Sequence, residues 1–354
     1  MKIGGRKMSY ELSILDQSPI FPETSAAEAL QETVNLAKNA EKWGYLRFWL
    51  SEHHYTDQLA GASPEILISY LLAHTKTIRV GSGGVLLQHY SPYKVAENFH
   101  VLSNLAPGRV DLGIGKAPGG LPLSTRALQY GTLNDGSDFE SRFSFLKKLI
   151  EDSVEESHPL AGIQATPLPP IKPELILLGA SASSAKLAAE YETPFVYGLF
   201  FNSDHNELER AANIYHELFP KGRFMVGIGV VAAPEQQEAE LLARDYGKIV
   251  KVTLQSGRTV RVLTMEQGEL FGKQSGEPYK LEEQDSNIVS GTPSYVFKIL
   301  NELHLKLGID EFILHTPILK KEERFRSFEL LSPQQLEKGN SSDNNNAENG
   351  EYVF

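Results

Sequence analysis

The chain of 354 residues contains no cysteine. Disulfides, thiolate nucleophiles and cysteine-ligated metals are therefore excluded. No apolar run approaches the ~20 residues needed to cross a bilayer, and the N-terminus lacks the apolar core of a signal peptide. Positive charge is also scarce. Lys and Arg number 34 against 45 Asp and Glu, a net charge of −11. Broad nucleic-acid binding needs clustered cations against phosphates and is disfavoured. The expectation is a cytoplasmic protein with neither nucleic-acid nor membrane partners. What remains is an ordinary globular composition, 41% hydrophobic and 22% charged. That length suits one large α/β domain or two smaller ones.

Hydrophobic periodicity then sets the architecture. Residues 11–15, 46–50, 78–81, 110–114, 175–178, 195–197, 224–231 and 311–315 read as eight strands. Helical spacing fills the intervals. Ser25 and Glu28 form a capping box, and Gly44 stops the helix they open. Ser63-Pro64, Ser91-Pro92 and Thr292-Pro293 open others. Further helices are expected over residues 139–151, 183–191, 204–218, 234–251 and 325–331. Strict alternation points to a parallel sheet covered by helices, and eight units point to a closed TM-type barrel, the TIM (β/α)₈ fold. An open doubly wound sheet normally carries a glycine-rich loop after its first strand. Residues 16–25 contain no glycine.

Two stretches break the rhythm. Residues 252–289 are long and polar, which reads as an insertion before the last helix–strand unit, either a mobile lid or disorder. Residues 338–354 are low-complexity and read as a disordered tail. One domain over residues 9–335 is expected, after a polar lead-in over residues 1–8.

Four constellations fall at the C-terminal ends of strands, where parallel α/β folds gather ligands. The first is Glu52-His53-His54. Adjacent side chains on an extended segment point to opposite sides, so the two histidines cannot easily share a metal. One histidine aimed into the barrel mouth suits acid/base work, and surface or supporting histidines are the plainer alternative. The second is Gly81, Gly83 and Gly84, which mark either a tight bend or a close approach of ligand to backbone. The third presents Lys116, a point charge able to hold a phosphate. The fourth is Gly179-Ala180-Ser181 with Ser184, where a strand runs into a helix start. Its amides and hydroxyls attract an anion or simply cap the helix. No metal site is expected.

These motifs taken in order resemble the bacterial luciferase-like flavin monooxygenases. The resemblance rests on LDQSPI, FWLSEHH, the run from VGSGG to KAPGG, and LGASASSAKLAAE, and spans roughly residues 12–315. It implies a (β/α)₈ barrel and an enzyme that uses reduced FMN (FMNH₂) and O₂ to oxidise a small organic substrate through a flavin peroxy intermediate. His53 matches the family's catalytic histidine. Gly83 and Gly84 match a pair joined by a cis peptide beside the flavin ring. Lys116 stands where an arginine commonly binds phosphate, and Ser181 and Ser184 match hydroxyls that hold it. A separate flavin reductase and a homodimer are the implied partners. The sequence departs from the family pattern at Lys116, at Leu121, which removes a carboxylate, and at Gln88, which replaces a proline. A deazaflavin-dependent oxidoreductase of the same fold and a non-catalytic flavin binder stand as the alternatives.

Overall fold

A computed structural model of the chain describes residues 2–3, 6–7, 9–132 and 136–335. The low-complexity tail over residues 338–354 lies outside the described residues. Eight parallel strands run in chain order, and we label them β1 (Glu11–Asp16), β2 (Arg47–Leu50), β3 (Arg79–Leu86), β4 (Val110–Gly115), β5 (Glu174–Gly179), β6 (Phe195–Gly198), β7 (Phe224–Ala232) and β8 (Glu311–His315). Each pairs with the next, and β8 pairs with both β7 and β1, so the sheet closes into the expected barrel. A short strand, Val289–Gly291, pairs in parallel beside the end of β7. Ahead of the barrel, within the expected lead-in, Lys2–Ile3 pairs antiparallel with Arg6–Lys7.

The capping box and the glycine stop act as anticipated, but the serine caps expected before the prolines do not form. Ser25 and Glu28 bond reciprocally to close the first turn of the helix Ala26–Trp43, and Gly44 ends it at φ 84°. Ser63 and Ser91 precede prolines at helix starts but make no side-chain caps. On β2 the period of two divides the residues cleanly. Phe48 and Leu50 face the helix layer, and Trp49 points inward. Inside the barrel Leu15, Trp49, Ile176, Val196, Met225 and Ile313 form an apolar plug.

Below the plug, at the N-terminal ends of the strands, lies a buried ionic floor. Arg47 pairs with Asp111 at 2.9 Å, Glu174 at 2.8 Å and Glu311 at 2.9 Å. Arg79 adds to Asp111, Arg223 binds Glu174 at 2.5 Å, and Trp49 Nε1 donates to Asp111 at 2.9 Å. Burial opposes the charge of Arg47, but the carboxylates of Asp111, Glu311 and Glu174 outweigh it and hold its pKa above the ordinary arginine value.

Three expectations need correction. The helix over residues 234–251 ends early, as Gln236–Ala243. Gly247 and the β-branched run that follows turn the chain into a strand, Lys248–Leu254. Residues 252–289 are also not structureless. Thr259–Val262 and Tyr279–Asp285 flank Lys248–Leu254 in an antiparallel sheet, and the helix Met265–Ser275 packs on it. We call this unit the roof. The strand expected at residues 78–81 also runs on to Leu86, through the glycines. Among the described residues, no helix is long and apolar enough to cross a membrane.

Replacing Arg47 by Met removes the cation shared by buried Asp111 and Glu311 and part-buried Glu174, leaving Arg79 and Arg223 on Asp111 and Glu174 alone. Equilibrium urea unfolding should show a loss of about 3–5 kcal/mol. A loss below about 1 kcal/mol, the size of an exposed ion pair, would remove the floor from this account.

Candidate active site

The segment after β2 is fixed by its backbone before its side chains act. The His53 N–H donates to the Gly61 carbonyl at 2.9 Å, and the His54 N–H to the Gly119 carbonyl at 2.7 Å. The two imidazoles therefore diverge. His53 Nδ1 lies 3.0 Å from Ser51 Oγ, and His54 Nε2 lies 2.7 Å from Glu52 Oε1. Glu52 is buried and also accepts from Tyr90 Oη at 2.7 Å and the Leu86 N–H at 3.1 Å. It is the joint between β2 and the end of β3. No grouping of three potential metal ligands occurs among the described residues.

Burial pushes His53 down to about 4, with His54 adding to the shift and Glu52 opposing it. At neutral pH the ring is uncharged. With Ser51 on Nδ1, Nε2 is left to serve the mouth.

Gly83 and Gly84, on the neighbouring strand β3, are joined by a cis peptide. The β3–β4 register shifts between Ser82 and Val85. A Cβ on Gly83 would lie 2.7 Å from Leu15 Cδ1, and one on Gly84 would lie 2.7 Å from the Gly113 carbonyl oxygen. Neither position has room for a side chain. The result is a stretch of backbone without side chains, a shelf packed on Leu15 and Trp49 of the apolar plug.

Beyond β5 the chain enters the helix Ala182–Glu190 directly. A Cβ on Gly179 would meet Ser184 Cβ at 2.4 Å, so only glycine permits this tight entry. Ser181 Oγ caps the Ser184 N–H at 3.2 Å and lies 2.9 Å from Ser183 Oγ and 3.0 Å from Ser184 Oγ. Both the capping role and a hydroxyl cluster are therefore present. The expected row of free amides is incomplete, because Glu207 Oε1 takes the Ala182 N–H at 2.7 Å. The Ala180 carbonyl accepts from Asn202 Nδ2 at 3.0 Å.

Lys116 is exposed just past β4, with Nζ 5.8 Å from the centre of the Phe139 ring. The strand order thus sets His53 beside the glycine shelf. Lys116 leans toward the helix Phe139–Glu151, and the hydroxyl turn stands at the end of β5.

One residue was missed. His315, the last residue of β8, is half-buried, and its Nδ1 has no hydrogen-bond partner among the described residues. Burial, then Arg324, pushes it down to about 3. Its ring lies 5.9 Å from that of Phe200. Its place at a strand's C-terminal end was the available signal.

The roof meets several rim loops. Gln267 Nε2 donates to Gln58 Oε1 at 3.3 Å, after β2. Gln274 accepts from the Leu123 N–H at 3.0 Å and from Arg126 at 3.2 Å, after β4. Arg261 Nη2 donates to Asn202 Oδ1 at 3.3 Å, after β6. Leu121 packs on the apolar base of the roof formed by Val252, Leu254 and Phe271. Together the parts fit a phosphorylated planar cofactor, with a shelf that excludes side chains, a hydroxyl cluster to one side and a cover above.

The sequence pattern described as luciferase-like monooxygenase matches residues 10–310. The chain is 42% identical over 326 residues to the N-acetyl-S-alkylcysteine monooxygenase of Bacillus subtilis (strain 168), covering 91% of this chain and 97% of that protein. It is 34% identical over 324 residues to a luciferase-like monooxygenase of Escherichia coli (strain K12), covering 90% and 95%. Among solved structures, apo-MsnO8 superposes with a TM-score of 0.75 at 31% identity, over 93% of this chain and 98% of that one.

The histidines carry a testable pH signature. Below pH 6.5 the unfolded chain takes up a proton on His53 that the folded chain refuses until about pH 4. Stability therefore falls as pH drops through that window. Thermal midpoints measured across it should fall less steeply for His53→Gln than for the wild type. Parallel curves would show that His53 is not held neutral by the fold.

Proposed function

The chain belongs to the luciferase-like monooxygenase family, and from that premise we propose that it is an FMN-dependent monooxygenase acting on a small organic substrate. The observation that carries the reading is a neutral histidine, His53, beside a cis Gly83–Gly84 shelf at the mouth of the barrel. When bound, reduced FMN supplies the electrons with which O₂ is activated. Gly83 and Gly84 give the ring a surface without side chains. Ser181, Ser184 and the backbone of Gly179 and Ala180 hold the phosphate, with Lys116 as a point charge on the rim. His53 holds or moves a proton at Nε2, since Ser51 occupies Nδ1. The roof closes the mouth and excludes water.

In this reading residues 9–335 act as one domain, and residues 252–290 move as its lid. A separate flavin reductase delivers the reduced cofactor. The similarity to an N-acetyl-S-alkylcysteine monooxygenase supports thioethers as the first substrate class to screen. The reading also includes a homodimer. The helix Pro64–His74 is apolar nearly all round, yet Ile66 is 70% and Tyr70 50% exposed. On the adjacent helix Pro92–Leu105, Leu105 is 67% and Val101 43% exposed. Each pair is spaced i,i+4, so each of these two neighbouring helices exposes an apolar stripe.

The reading is tested by mixing the protein anaerobically with reduced FMN, adding a thioether and admitting oxygen. Binding of the reduced flavin followed by sulfur oxygenation is expected. Binding of a reduced deazaflavin in its place would favour the alternative oxidoreductase, and flavin binding without oxygen use would favour the non-catalytic binder. His53→Ala should lower turnover by roughly 10²–10⁴ while leaving the flavin dissociation constant unchanged. Wild-type turnover in that variant would take His53 out of the chemistry. Ile66→Glu combined with Leu105→Glu should convert a dimer to a monomer in light scattering, and an intact dimer would place the interface elsewhere.

A further inference from the structure

Arg261 lies on the roof strand Thr259–Val262 and is half-buried. Its Nε is enclosed without a hydrogen-bond partner among the described residues. Its Nη2 reaches Asn202 Oδ1 at 3.3 Å, and Asn202 Nδ2 in turn reaches the Ala180 carbonyl at 3.0 Å. Two hydrogen bonds therefore connect this guanidinium to the turn at residues 180–184.

Among the described residues no carboxylate pairs with it. Glu207, the carboxylate at that turn, is committed to Arg210 at 2.5 Å and to the Ala182 N–H at 2.7 Å. Asp204 caps the helix His205–Leu218. Tyr197 is the ionisable group that bears on Arg261, and burial pulls the arginine below its ordinary pKa. A desolvated cation without a counter-charge destabilises the free protein. In a chain with a net charge of −11, carboxylates for such a partner are plentiful. The site that leaves Arg261 unmatched faces the ligand turn.

The turn itself lacks such a charge. Glu207 brings a negative charge to the helix start, and Lys116, beside Phe139, offers a point charge in place of a fork. A guanidinium from above supplies the planar, two-pronged donor that a phosphate accepts best.

We propose that Arg261 binds the flavin phosphate held at residues 180–184, so that the roof closes on the cofactor through this ion pair. The proposal rests on the flavin reading. It makes Arg261 a cofactor-binding residue delivered by the lid, and it couples lid order to the presence of the phosphate.

The test compares oxidised FMN with riboflavin, which has the same ring and no phosphate. Both are titrated by fluorescence against the full chain, and hydrogen exchange over residues 248–285 is followed with and without each flavin. The wild type should prefer FMN, and FMN alone should slow exchange in the roof. Arg261→Gln should weaken FMN about ten-fold, the size of one charge-assisted hydrogen bond, shift riboflavin less than about two-fold, and abolish the slowing. Arg261→Lys, which keeps charge and bulk, should recover part of the FMN preference, and it carries the same comparison if the Gln variant does not fold. Unchanged FMN affinity in Arg261→Gln, or equal loss for both flavins, overturns the proposal and assigns the cation to another anion such as a substrate carboxylate. Equal binding of the two flavins by the wild type would remove the phosphate site altogether, and the flavin reading of the turn with it.

Discussion

Arg47 is the residue on which the rest of the barrel depends. It stands at the base of β2 among Asp111, Glu174 and Glu311, which come from β4, β5 and β8. Ser13 of β1 donates to Glu311 at 2.5 Å, and Arg79 of β3 binds Asp111. Three guanidiniums, Arg47, Arg79 and Arg223, thus meet three carboxylates where the strands begin. Such a layer adds little net stability compared with an apolar one, but breaking it is costly. Its consequence here is register. Side chains alternate along a strand, so a slip of one residue would turn Arg47 and Trp49 outward and Phe48 inward. Six residues on, that same register delivers His53 to the mouth, about 20 Å from the floor at ~3.3 Å per residue.

The two ends of the barrel are electrostatic opposites, with the apolar plug between them. At the floor each buried charge has a partner. At the mouth, His315 Nδ1 and Arg261 Nε have no hydrogen-bond partner among the described residues, as Arg223 Nε has none at the floor, and burial keeps His53 uncharged. Buried polar atoms are normally satisfied, so each unsatisfied one calls for a partner, and at the mouth a bound ligand is in a position to supply it. The mouth is also held in position from outside. Asp16, at the end of β1, binds Arg324 at 2.6 Å and Thr33 at 2.7 Å, which ties the first and last helices to the rim.

The barrel was legible because each strand is short, β-rich and bounded by punctuation, and because helical spacing fills the gaps. Phe48 and Leu50 against Trp49 is that code at its clearest. The roof was not legible for two reasons. Its first strand follows a helix and a single 3₁₀ turn, Arg244–Tyr246, with only Gly247 before Lys248, and an antiparallel sheet stabilised by pairing leaves a weaker trace than a packed helix. At the site, the catalytic candidate and the glycine shelf were visible because histidines and glycines at strand ends are unusual. The family resemblance supplied the cis bond. Glu207 on the Ala182 amide and Arg261 above Asn202 were out of reach, since both depend on contacts between segments 25 and 59 residues apart. His315 was visible but unremarked, a lone histidine closing an apolar strand.

The central claim is that the C-terminal mouth takes a flavin whose ring lies on the glycine shelf and whose phosphate lies at the serine turn. A crystal structure of the chain with FMN tests it most directly. The account predicts the ring against Gly83 and Gly84 within reach of His53 Nε2, and the phosphate among Ser181, Ser184 and Arg261 beneath an ordered roof. Flavin bound away from the mouth, or bound there with its phosphate turned out to solvent, would contradict it.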